Sequence, residues 1–263
     1  MDGGAESTIL EVARGQGIAR LTMNRPRARN ALSRALMNAL QKALDEIAAD
    51  PTVKIVILGA RGPAFCAGHD LREMRAHPGE AEIRATFAQC SRMMQSIVRL
   101  PQPVIARVQG PASAAGCQLV ASADLAVAAD GASFSTPGVN IGLFCSTPMV
   151  ALARNVGRKQ AMEMLLTGET VDAARARELG LVNRVVPADA LDHEVDALAG
   201  LILSKSPVSL RIGKEAFYRQ LEMPLAEAYE YASAVMTRNM MADDAAEGID
   251  AFLEKRPPCW PGQ

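Results

Sequence analysis

PASAAGCQLVASADLAVAADGASFSTPGVNIG, residues 111–142, is the stretch whose reading decides the fold of this chain. Its small residues form a turn that leads into a short helix predicted over 114–121. An apolar run predicts a strand over 124–129, and Phe134-Ser135-Thr136-Pro137 predicts a loop. Small side chains let main-chain N–H groups come close to a ligand, and the first turn of a helix carries donors with no partner inside the helix. A turn of this kind, set between buried apolar segments, suits the binding of a developing oxyanion.

Outward from that stretch, β and α signals alternate. Residues 9–13 and 18–23 predict two strands around the turn Arg14-Gly15-Gln16-Gly17, and Asn24-Arg25-Pro26 breaks the sheet. Leu32, Leu36, Leu40, Leu44 and Ile47 recur at helical spacing with Ser33 as the cap, and Asp50-Pro51 ends the helix. The β-branched run 53–58 predicts a buried strand, 59–68 a loop, 83–98 a second helix, and 104–108 another buried strand after Pro101 and Pro103. This order predicts an α/β fold with strands covered on both faces.

No GxGxxG follows a strand, and neither GxxxxGK[ST] nor GxSxG occurs. Beyond Ser146 the pattern is helical. Thr170-Val171-Asp172 predicts a helix start before 173–179, with Gly180 at its end, and 182–186 predicts one more strand. From Asp189 to Leu253 helix follows helix, broken near Pro207 and Pro224. The methionines and aromatics of that region either pack these helices together or face a neighbouring subunit.

With 49% apolar and 22% charged residues the chain can bury a substantial core. A formal charge of −1 gives no global attraction to nucleic acid or to anionic membranes, and no apolar run is long enough for a spanning helix, so neither partner is expected. The opening MDGGAESTILEVARG has acidic residues early, lacks the apolar core of a secretory signal and is not Arg-rich like a transit peptide. The five cysteines, Cys66, Cys90, Cys117, Cys145 and Cys259, form no CxxC pair. Free thiols in a reducing cytoplasm are expected, and no zinc site.

Four segments in order resemble the enoyl-CoA hydratase/isomerase (crotonase) superfamily: MNRPRARNAL at 23–32, AFCAGHDL at 64–71, AAGCQLVASADLAVA at 114–128 and LLTGETVDAARARELGLVNRVVP at 165–187. Within it, AAGCQLVAS and the run from Thr136 to Pro148 are similar to the subgroup of enoyl-CoA hydratase domain-containing proteins. The resemblance implies a spiral of repeated ββα units over residues 1–200 and a C-terminal helical region over 201–263. It also implies a homotrimer or a dimer of trimers, an acyl-CoA thioester as ligand, and no cofactor beyond the CoA of the substrate.

By position, the resemblance gives the thioester oxygen two backbone donors, the N–H groups of His69 and Ala115. Fixed donors of this kind stabilise an enolate without reorganisation. Arg25, Arg27 and Ala28 fall in the family's CoA-contacting loop, and the three arginines Arg25, Arg27 and Arg29 suit phosphate or an ordinary solvated loop equally. Ala67, Gly68, Asp70 and Leu71 surround the first donor, and Gly110 and Gly116 the second. Pro137 and Cys145 line the acyl side.

The two glutamates of the family's hydratases are replaced, by Gln118 and by Gly138. An amide can orient water but transfers no proton near neutral pH, and general acid–base help is worth roughly 10²–10⁴ per group. The resemblance therefore implies an enzyme of CoA-thioester and fatty-acid metabolism, of lyase or isomerase class, in which ordinary hydration is weak or absent. A non-catalytic acyl-CoA-binding or regulatory protein and a thioester hydrolase with Gln118 placing the water are the alternatives. Returning both glutamates, by Gln118→Glu with Gly138→Glu, is expected to confer hydratase activity.

His69 is the sharpest remaining titratable group, since histidine suits proton transfer near neutrality, unless its side chain packs away while its N–H works. Asp70 caps or braces its loop, and Cys117 is packing. Lys214 and Lys255 are candidates to approach a nucleotide from the C-terminal helices.

Overall fold

A six-stranded sheet, ordered β1-β2-β3-β4-β6-β9, forms the centre of the molecule. The structure is a computed structural model that describes residues 8–262, so most of the acidic opening segment lies outside the described residues. β1 (Leu10–Gly15) pairs antiparallel with β2 (Ile18–Met23), and from β2 onward all pairs are parallel: β3 (Ile55–Ala60), β4 (Val104–Val108), β6 (Leu125–Ala129) and β9 (Arg184–Val186).

Both faces of this sheet are covered, which explains the unbroken apolar runs read in the sequence. Along β3, Ile55 and Ile57 face α8 (Leu191–Leu203) together with Ile105, Val127, Leu191 and Val195. The alternate residues Val56 and Leu58 face the larger core, with Leu36 and Leu40 of α1 (Arg34–Ala48) and Met93 and Ile97 of α3 (Glu80–Arg99). A strand's side chains alternate between faces, so a two-sided core needs apolar residues at every position. Ser33 caps α1 as its position predicts, its side chain accepting from the N–H of Leu36.

A second, small sheet carries the segment from which the reading began. β5 (Ala112–Ser113) pairs parallel with β7 (Ser133–Ser135), which pairs antiparallel with β8 (Thr170–Asp172). Two expectations are corrected here. The Phe-Ser part of the predicted loop is strand β7, and Thr170 to Asp172, read as a helix start, is strand β8. Only Asp172 acts as that start, capping α7 (Ala173–Glu178) by accepting from the N–H of Arg175 at 2.7 Å. A short helix absent from the sequence reading, α2 (Leu71–Ala76), follows the 64–71 segment.

α4 (Ala115–Ser122) is buried along its whole length and packs against α5 (Ser146–Asn155). α6 (Arg158–Thr167) continues the chain toward β8. The last three helices, α9 (Pro207–Gln220), α10 (Leu225–Met240) and α11 (Asp243–Glu254), pack on one another. α10 packs on α9 through half-buried residues such as Tyr231 and Val235 but buries none fully, and it leaves Tyr229 70% and Met236 60% exposed.

Candidate active site

Residues 66–70 run as a ribbon stitched on both sides. On one side, Ala67 donates to the carbonyl of Arg29, Leu32 donates to that of Gly68, and Asp70 donates to that of Leu32. On the other, Cys66 pairs with Ala112 in an isolated parallel bridge, and Ser113 donates to the carbonyl of Cys66 at 2.9 Å. In the parallel bridge between Leu32 and His69, the groups used are the carbonyl of 68 and the N–H of 70. The N–H of His69 therefore points away from Leu32, and it has no acceptor among the described residues.

Ala115 is the first residue of α4, so its N–H has no acceptor within the helix, and none outside it among the described residues. Two features aim it. Ala114 adopts φ 50 and ψ −115, a conformation that alanine rarely takes and that costs on the order of 1–3 kcal/mol. The N–H of Ala114 is held by the carbonyl of Ser135 in β7 at 2.9 Å, so the small sheet fixes the approach to the helix.

The two donor segments touch. A Cβ placed on Gly68, whose φ is +94, would stand 3.4 Å from the Ala115 nitrogen and 3.1 Å from the Ser113 carbonyl oxygen. A Cβ on Gly116 would collide with the carbonyl oxygen of Cys66, and one on Gly110 with that of Pro63. These glycines are where two backbones meet without intervening side chains. Gly116 joins the two donor segments, while Gly110 packs the loop that precedes them.

Gln118 lies three residues into α4, on the same helix face as Ala115. It is 5% exposed, and its Oε1 is buried with no hydrogen-bond partner among the described residues. Gly138 is in a 3₁₀ turn, Pro137–Ile141, that follows β7. A Cβ there would stand 2.7 Å from the Leu143 carbonyl oxygen and 2.9 Å from the Cys145 sulfur. The expectation that glutamates returned to 118 and 138 would restore hydration meets an obstacle at 138, where the Leu143 carbonyl and the Cys145 sulfur occupy the space of the side chain.

The His69 ring sits edge-on to Phe87 of α3, with centroids 5.3 Å apart, and burial pulls its pKa down to about 4. It is neutral at pH 7 and a weak proton acceptor, and its Nε2 is buried with no hydrogen-bond partner among the described residues. Asp70 caps α2 and accepts from Arg25 Nη2 at 3.0 Å. Burial opposes ionisation of Asp70, but the hydrogen bonds from Arg25 and the Glu73 N–H outweigh it and lower its pKa. Arg25 also donates to the carbonyl of Ala31, so its guanidinium braces the loop, while Arg27 and Arg29 are exposed.

Ala28 is half-buried in the 3₁₀ turn Pro26–Ala28, Ala67 and Leu71 are exposed, and Pro137 is half-buried. Burial raises the thiol of Cys117 to about 12 and raises that of Cys145, so neither is a thiolate near pH 7.

Lys214 is corrected from a nucleotide contact to a buried tie. Its Nζ donates to Asp124 Oδ2 at 2.6 Å and to the carbonyls of Ile97 and Gln102. Tyr218 donates to the other carboxylate oxygen at 2.9 Å, fastening α9 to the start of β6. Lys255 ends α11 on the surface.

Sequence reasoning passed over Asn30, which is fully buried. Its Nδ2 donates to the carbonyls of Arg61 and Ala64, and its Oδ1 accepts from the N–H of Arg25. Its φ of 53 is a conformation asparagine tolerates, and that was the signal available in RARNAL. Among the described residues no cluster of three or more His, Cys, Asp or Glu could hold a metal.

The family model described as Enoyl-CoA hydratase/isomerase matches residues 13–263. The chain belongs to the enoyl-CoA hydratase/isomerase family. It is 48% identical over 244 residues to the human enoyl-CoA hydratase domain-containing protein 3, mitochondrial, covering 93% of this chain and 80% of that protein. The rat protein of the same name is 44% identical over 256 residues, covering 97% and 85%.

Among solved structures, an enoyl-CoA hydratase of Mycobacterium smegmatis superposes with a TM-score of 0.95 at 54% identity, covering 96% of this chain and 99% of that one. The human domain-containing protein 3 superposes at 0.93 and 45%, covering 96% and 100%. The fold is that of the crotonase family, a mixed α/β body with a helical C-terminal region. The cytoplasmic expectation is corrected by the human and rat relatives, which are named mitochondrial. Free thiols mark a reducing compartment and do not tell one such compartment from another.

Proposed function

We propose that this family member binds an acyl-CoA thioester with its carbonyl oxygen between the N–H groups of His69 and Ala115, and that these donors stabilise an enolate. The observation that carries the reading is that neither N–H group has an acceptor among the described residues, in a place where the two backbones pack directly on each other. An unpaired buried donor costs roughly 1–3 kcal/mol, so a fold that keeps two side by side gains only when a ligand oxygen fills the gap. The positive end of α4 adds to the attraction for negative charge.

Ordinary hydration of a simple enoyl-CoA is not part of the proposal, because neither position 118 nor position 138 holds a carboxylate. The solved and curated relatives named hydratases support CoA-thioester chemistry of lipid type without assigning a substrate. The apolar residues exposed on α10 support assembly of several copies through the C-terminal helices.

Calorimetric titration with butyryl-CoA, beside a crotonyl-CoA hydration assay, tests the reading. Saturable binding without hydration at enzymatic rates is expected. Absence of binding, or brisk hydration, would contradict it.

A further inference from the structure

Ser113 and Ser135 face each other in the small sheet. β5 and β7 run parallel with these two residues in register, so both side chains leave the sheet on the same face, and their hydroxyls stand 2.7 Å apart. That is the ordinary length of an O–H···O hydrogen bond. Ser135 is 5% exposed and Ser113 is half-buried, so little water competes for the pair. β5 is two residues long, and its ladder to β7 holds only two register pairs. A bond between side chains is therefore a large share of what joins these strands.

Ser113 is also where the two donor segments come together. Its N–H donates to the carbonyl of Cys66 at 2.9 Å, and its carbonyl oxygen stands 3.1 Å from the place of a Cβ on Gly68. Ser135 holds the next residue as well, because its carbonyl accepts from the N–H of Ala114 at 2.9 Å. Ala114 carries the positive φ of 50, and the peptide that follows it bears the N–H of Ala115. A strained residue keeps its conformation only where its surroundings over-determine it. Here Ser135 clasps the segment 113–114 twice, by its hydroxyl and by its carbonyl.

We infer that the Ser113–Ser135 hydroxyl pair positions the Ala115 N–H: it holds the strained turn at 114 and so sets the direction of that donor against the one at 69. The effect on ligand affinity rests on the acyl-CoA reading above. Both serines are positioning residues that act through the backbone. Loss of either hydroxyl lets Ala114 relax and turns the Ala115 N–H. The His69 N–H stays in place, because its ribbon is also stitched to Arg29 and Leu32 on the far side.

The test uses the full-length ¹⁵N-labelled protein, alone and titrated with butyryl-CoA. Ser113→Ala is expected to shift the Ala115 amide resonance of the ligand-free protein and to leave that of His69 unmoved. Affinity for butyryl-CoA is expected to fall about three- to tenfold, the worth of one hydrogen bond. Ser135→Ala keeps the carbonyl that holds Ala114 and is expected to do the same. The double variant is expected to lose no more than the weaker-binding single variant, since the two hydroxyls make one bond. Ser113→Thr returns a hydroxyl on a side chain that strands accept, and is expected to restore both readouts.

An Ala115 resonance and an affinity unchanged in both alanine variants overturn the inference. So does a joint shift of the Ala115 and His69 resonances, or a loss that Ser113→Thr leaves in place, since either marks general damage to the sheet. Failure of the unmodified protein to bind butyryl-CoA overturns the acyl-CoA reading alone, because the Ala115 resonance of the ligand-free variants still decides the role of the pair.

Discussion

The Cys145 sulfur stands 2.9 Å from the place a Cβ on Gly138 would take, and the Leu143 carbonyl oxygen stands 2.7 Å from it. The turn at 138 is closed further by the N–H of Leu143, which donates to the Gly138 carbonyl at 2.9 Å. The missing carboxylate at this position is therefore a feature of the surrounding backbone as well as of one codon. Gly138→Glu is expected to lower stability by about 1–3 kcal/mol, and Gln118→Glu with Gly138→Glu to remain without hydratase activity. Chemical denaturation and a crotonyl-CoA assay check both. A stable double variant that hydrates crotonyl-CoA would show that the 143–145 segment moves aside readily.

Ala114 supplies a prediction of opposite sign. Its φ of 50 is strained for alanine and open to glycine. Ala114→Gly is expected to raise stability by about 1 kcal/mol, a direction few substitutions take. A loss measured by denaturant unfolding would mean that the Ala114 methyl contributes packing worth more than the strain.

Much of the fold was legible because its signals are local. Leu36, Leu40, Leu44 and Ile47 declared α1, and Ser33 its cap, since helical spacing and a side-chain cap need no distant partner. The start of β4 was marked by Pro101 and Pro103 just before it. The small sheet was not legible: β7 and β8 are three residues each and exist because they pair with each other and with β5. At the site, the proposed donors at 69 and 115 come from the resemblance, and no local pattern in composition or spacing marks them. The blocked space at Gly138 and the tie from Lys214 to Asp124 join residues far apart in the chain, and no local pattern announces them.

That tie yields a stability prediction. Lys214 and Asp124 are a buried ion pair, completed by Tyr218. Removing one partner leaves a buried charge unpaired, so Lys214→Met is expected to cost about 3–5 kcal/mol. Tyr218→Phe removes one hydrogen bond to a charged group and is expected to cost about 1.5–3 kcal/mol. Butyryl-CoA affinity of the folded fraction should be unchanged in both. A selective loss of affinity would return Lys214 to the ligand.

His69 sets a pH dependence. Its ordinary pKa is 6.5, and burial pulls it down to about 4 in the folded chain. Between these values the unfolded state binds the proton and the folded state does not, so stability falls as pH drops from 6.5 toward 4. The size is on the order of a few kcal/mol. His69→Phe keeps a ring beside Phe87 and is expected to flatten that slope, as urea unfolding across the range would record. An unchanged slope would assign the loss to other groups.

The central claim concerns two main-chain amides, and nuclear magnetic resonance reads them directly. With ¹⁵N-labelled protein saturated by butyryl-CoA, the His69 and Ala115 amide protons are expected to move downfield together as each gains an acceptor. Saturated binding that leaves both resonances in place, or that moves one without the other, would contradict a thioester oxygen shared between them.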